Sequence, residues 1–137
     1  MTTPYGALLS LRKIEEQQAE AALTSAMREV ESLETVLRRL SDARAAWLAG
    51  ELGGLAETLT GLETAERMAE QRVNDAQHRV EAARDALLGC QRQRKVVEEL
   101  HENALAAAAR VVARRAQMEL DDIGNRSAHD HAAGGSR

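Results

Sequence analysis

Few side chains in this chain are equipped for chemistry. His129 and His131 flank Asp130 in an H-D-H triplet, donors that suit a divalent metal. A metal site needs several ligands fixed by an outer shell. The stretch around the triplet, Asn125 to Arg137, is Ser, Gly, Ala and Asp without periodicity and cannot hold them in place. Cys90 is the single cysteine. A nucleophilic thiol needs a fixed base and an oxyanion site, and Cys90 falls instead at an apolar helix position, as a small buried hydrophobe. Carboxylate pairs such as Glu66–Glu70 and Asp121–Asp122 lie on charged helix faces, where water solvates them. His78 and His101 also fall on charged faces. Gly50, Gly53 and Gly54 lack the Lys-Ser/Thr that completes a phosphate cradle. These residues point away from an enzyme, and toward no metal, no cofactor and no small-molecule substrate.

The elements that would carry such residues explain why. There is no Phe, one Trp (Trp47) and one Tyr (Tyr5), so a globular core would lack its largest fillers. Ala, Leu, Glu and Arg at helical spacing describe a coiled coil. The only proline, Pro4, leaves residue 5 onward open to helix. No apolar run approaches the ~20 residues that span a bilayer. Residues 1–11 lack the basic and apolar regions of a signal peptide. A lone cysteine fits a reducing compartment, so the expected location is cytoplasmic. The net charge of −4 argues against nucleic acid as a partner. Residues 51–88 are the acidic part, with 8 acidic and 4 basic groups.

A first helix begins near Tyr5 or Gly6. Its heptad reads Leu23, Ala26, Val30, Leu33, Leu37, Leu40, Arg44, Trp47, one stripe of a coil. Leu8, Leu11 and Ile14 sit on another phase, which predicts a register shift there. Gly50, Gly53 and Gly54 place a reversal at residues 49–55, capped by Leu52 and Leu55. The second helix reads Leu55, Leu59, Leu62, Glu66, Ala69, Val73, Ala76, Val80, Ala83, Leu87, Cys90. Past Arg94 the phase slips to Val97, Leu100, Ala104, Ala107, Val111 and Met118. Gly124 is the expected helix stop. The fold predicted is all-α: a two-helix antiparallel coiled-coil hairpin over residues 5–123, with the longer helix second, and a disordered tail over 124–137.

Arg44 and Arg94 occupy nominal core positions. Either they extend along their stems to water, or they fix the register. Folding near residue 52 sets Leu8 opposite Val96, leaving Val97 to Ile123 without an intramolecular partner. That arm holds Arg110, Arg114 and Arg115 beside an apolar stripe, a docking surface for another protein.

The ends of the chain carry a resemblance. R-Q-R-K-V-V-E-E-L, with Q-M-E-L-D-D-I further on, is similar to the closing pattern of the flagellar export protein FliJ family, through Arg94, Lys95, Glu98, Leu100, Gln117, Leu120, Asp121 and Asp122. The opening G-A-L-x-x-L-R-K resembles the family's start through Gly6, Ala7, Leu8 and Leu11. Asp122 stands where the family usually has Glu, and the family's frequent aromatics are nearly absent.

The resemblance implies a stalk protein of the flagellar type III export apparatus. It implies docking of the end holding both termini in the centre of the hexameric export ATPase, through Leu8, Leu11, Arg94, Lys95, Leu100, Gln117, Leu120, Asp121 and Asp122. It implies a contact with the cytoplasmic domain of the export gate near Leu62, Ala65 and Ala69, and binding of export chaperones. The expected place is the cytoplasmic face of the inner membrane, reached through protein partners. Two other readings fit the same residues: the equivalent YscO-type stalk of a virulence injectisome, and a generic coiled-coil scaffold or dimerisation module.

Overall fold

A computed structural model describes residues 3–50 and 56–135, with the backbone alone for 131–135. Among the described residues the fold is two helices: α1, Gly6–Leu48, and α2, Ala56–Gly135. They run 43 and 80 residues. Pro4 stands just ahead of α1, where a missing N–H costs nothing. Gly50 ends α1 at φ 78°, the left-handed conformation a glycine adopts without strain. Of the reversal expected over 49–55, Ala49 and Gly50 form a turn. Leu52, Gly53, Gly54 and Leu55 lie outside the described residues.

The chain divides into two units. The hairpin unit, Leu11–Arg94, pairs α1 with the first half of α2 in antiparallel fashion. Its covered stripe on α1 is Ala19, Leu23, Ala26, Val30, Leu33, Leu37, Leu40, Arg44 and Trp47. On α2 the stripe is Leu59, Leu62, Glu66, Ala69, Val73, Ala76, Val80, Ala83, Leu87 and Cys90. Both follow the predicted heptads. Ala76 is completely covered, at 0% exposure, and Val73 and Val80 on either side are buried. A methyl side chain disappears from solvent only where the facing helix comes close, so the alanines draw the axes together.

Two ion pairs stand near the ends of this stripe. Arg44 Nε lies 2.7 Å from Glu66 Oε2, with Glu66 largely covered. At the other end Arg94 donates from Nε to Glu16 Oε2, with both side chains largely covered. Arg94 is thus shielded, while the Arg44 side chain is 39% exposed and reaches both water and its partner. Each meets a glutamate on the opposite helix. Arg79–Glu29, at 2.7 Å, also bridges the helices, but its side chains are about half exposed and the pair contributes little.

The terminal unit comprises Met1–Ser10 with Lys95–Arg137. Leu9 and Val97 are buried in it. Thr3 Oγ1 and His101 Nδ1 share a hydrogen bond, and Gly6 lies against the His101 ring. Tyr5, Ala104, Leu105 and Ala108 are partly covered.

The structure corrects three expectations. The register shift near the start of α1 does not occur. Counting back from Leu23 by steps of three and four gives Ala19, Glu16, Arg12 and Leu9, all at least partly covered, while Leu11 and Ile14 are 48% and 50% exposed. The phase slip past Arg94 is also absent. Val97, His101, Ala104 and Ala108 continue the heptad, and Leu100, Ala107 and Val111 face outward. Polar residues at inner positions hide the pattern in both places. Finally, Gly124 is not a stop, because α2 runs on to Gly135. One helical glycine costs about 1 kcal/mol, and here it lacks the positive φ of a capping residue. Residues 124–130 are exposed throughout and contribute nothing to the packing, as expected of a tail.

The ion pairs give a measurable consequence. Arg94→Met leaves Glu16 covered without its guanidinium and lowers stability by about 2 kcal/mol. Adding Glu16→Leu recovers that loss, because an apolar pair replaces a desolvated ionic one. Urea unfolding followed by circular dichroism separates the variants; equal stability of the single variant and the parent would contradict the assignment.

Candidate functional site

The uncovered part of α2 begins after Ala108. Every described side chain from Ala109 to Asp130 is exposed. Val111 is 47% exposed, Val112 52%, Met118 66%, and Leu120 and Ile123 62% each. The expected free arm, Val97 to Ile123, is therefore shorter at its start. Residues 97–108 are taken up by the N-terminal residues, with Val97 6% exposed. The reason is the register. Glu16 opposite Arg94 and Arg44 opposite Glu66 set each contact on α2 further toward the C-terminus than the expected pairing of Leu8 with Val96.

Helix survives there without tertiary support for local reasons. Ala106 to Ala109, Ala113 and Ala116 are the best helix formers. Gln117 Nε2 donates to Asp121 Oδ1 at 2.9 Å, one turn on. Arg110, Arg114 and Arg115 form no ion pair among the described residues.

The residues expected at the ATPase end are split between the two units. Leu8 is half-buried, and Lys95, Leu100, Gln117, Leu120, Asp121 and Asp122 are exposed; all belong to the terminal unit. Leu11, exposed, and Arg94, paired with Glu16, belong to the hairpin unit. At the expected gate contact, Leu62 is half-buried within the inner stripe, Ala65 is half-buried beside it, and Ala69 is inside it at 6% exposure. A shallow groove of about 380 Å³, lined by Arg44, Glu63, Glu66, Arg67 and Glu70, runs along the same stretch.

The side chains equipped for chemistry are spread along the helices. Cys90 is half-buried in the stripe, as a small hydrophobe. Glu66 is held by Arg44 and is not a free carboxylate beside Glu70. His78 is exposed and 3.6 Å from Glu81. His101 corrects the expectation of a solvated face: it occupies an inner heptad position and is hydrogen-bonded to Thr3. His129 is exposed, and nothing is described of the His131 side chain. Among the described residues no three of His, Cys, Asp and Glu gather as metal ligands, and no helix is long and apolar enough to cross a membrane. Glu16, Thr3 and His101 were not singled out for these contacts by the sequence, nor Arg12 for its inner position. Extending the heptad backward from Leu23 and forward from Cys90 finds all but Thr3.

The chain matches, over residues 1–133, the protein family described as Flagellar FliJ protein. No curated protein and no solved structure matches it.

Because residues past Ala108 pack on nothing described, a chain ending at Ala108 keeps its melting temperature within about 2 °C. Helicity falls only in proportion to the residues removed. A larger drop in melting temperature would show that the removed stretch supports the coil.

Proposed function

The chain belongs to the flagellar FliJ protein family and is thereby a component of flagellar type III export; on that premise we propose that it is the stalk linking the export ATPase to the export gate. The observation that carries this reading is the uncovered α2 stretch, with Val112, Met118, Leu120 and Ile123 exposed on a helix thin enough for a narrow opening. A run of large apolar side chains in water marks a surface that a partner covers. In this reading the terminal unit enters the centre of the hexameric ATPase, through Leu8, Lys95, Leu100, Gln117, Leu120, Asp121 and Asp122, with Leu11 and Arg94 next to them in sequence.

The gate's cytoplasmic domain contacts the coil at the level of Leu62, Ala65 and Ala69. With Ala69 turned inward, Leu62 and Ala65 offer the reachable edge. Export chaperones are further partners. The protein works at the cytoplasmic face of the inner membrane, held there by these proteins, and catalyses nothing itself. Its part in ATP hydrolysis is to assemble and position the ring.

Adding the full chain to the purified export ATPase raises ring assembly and ATP turnover. Removing residues after Gln117 abolishes capture by the ATPase and leaves unfolding of the coil unchanged. Unaltered assembly and turnover with the full chain, or full capture by the truncated one, would refute the stalk reading.

A further inference from the structure

α2 changes the side it presents at about Ala108. Up to that point the covered positions are Val97, His101, Ala104 and Ala108. The same spacing continues into Val111, Arg115, Met118 and Asp122, a stripe half of which is charged. A second helix like α1 has no apolar seam to follow there. The apolar residues move instead to Ala109, Val112, Ala116, Leu120 and Ile123. At 100° per residue these five lie within an arc of about 80°, turned by about 90° from the earlier stripe. Leu105, partly covered, sits at the head of the same arc.

One edge of this arc is charged and is ordered along the helix. Arg115 comes first, then Glu119 and Asp122, and Arg126 follows one turn on. Glu119 and Asp122 are like charges three residues apart, an arrangement that costs an isolated helix stability. The other edge holds Ala113 and Gln117, with Arg110 ahead of them. Two such helices packed in parallel set the charged edge of each against the Ala113 and Gln117 edge of the other, with no partner for Arg115. Packed antiparallel, they set basic against acidic on the charged edge, since a two-fold axis perpendicular to the helices brings each edge against its own copy.

We propose that the uncovered stretch of α2 pairs antiparallel with the same stretch of a second copy of this chain. The two-fold axis passes near Gln117 and Met118. Val112 of each copy meets Ile123 of the other, Ala116 meets Leu120, and Arg115 meets Asp122 with Glu119 close by. Each contact occurs twice. The seam is short and rich in alanine, so the pair is weak and sensitive to salt. The proposal uses the chain alone and does not depend on the export reading.

Sedimentation equilibrium with the full chain tests it, with Arg115→Glu as one variant and Glu119→Arg/Asp122→Arg as another. The parent self-associates in a concentration-dependent way. Each variant repels its own kind and loses self-association on the order of tenfold or more. An equimolar mixture of the two variants forms a heterodimer. None of these side chains touches the coil, so an unchanged urea midpoint shows that the fold is intact. A parent that stays monomeric up to about 1 mM, variants that associate like the parent, or a mixture without heterodimer would overturn the proposal.

Discussion

A coil built from Ala, Val and Leu has little to stop it sliding, because one heptad of such residues packs much like the next. Four charged side chains supply the stop. Glu16 meets Arg94, both largely covered, and Arg44, more than a third exposed, meets the covered Glu66. The pairs are four heptads apart on both helices, and each helix carries its Glu first and its Arg second. Antiparallel packing therefore sets opposite charges together at both ends. Parallel packing in the same register would set Glu against Glu and Arg against Arg. A slip of one heptad would leave the covered Glu16 and Glu66 without their arginines, the costly outcome for a desolvated carboxylate. Orientation and register are thus chosen by ions, while the alanines and valines between them supply the burial.

That register decides where the second helix runs out of partner. With Arg94 opposite Glu16, the first residues of the chain are used up against Val97, His101 and Ala104. Beyond Ala108, α2 is a helix with local support: alanines and a Gln–Asp pair. Its exposed valines, leucine and isoleucine are therefore a property of the coil's register, and a partner meets them wherever the coil meets one. The stalk reading and the self-pairing both draw on this stretch.

Much of this was legible in the residues. The heptads from Leu23 to Trp47 and from Leu59 to Cys90 are the covered stripes, since apolar side chains there mark the inner face with little interruption. Legibility failed where polar side chains took inner positions. Following Leu11 and Ile14, or Leu100 and Ala107, leads to the outer face, because Arg12, Glu16, Arg94 and His101 hold the seam. Arg44 and Arg94 were visible as anomalies, yet their partners become plain only once the helices are set side by side. Gly124 misled for another reason: in an Ala-rich helix one glycine is a modest cost. For the docking residues, the pattern at the chain ends indicated the uncovered stretch. The heptad had already set Leu62 and Ala69 on the inner stripe, where the structure has them.

The central claim is that the register ends the coil's protection at Ala108. Amide hydrogen exchange, measured at a concentration low enough to keep the chain monomeric, reads this along the backbone. The account predicts slow exchange in the covered stretches of both helices, with a sharp change to fast exchange from Ala109 onward. Fast exchange already from Val97, or slow exchange continuing to Ile123, would contradict it.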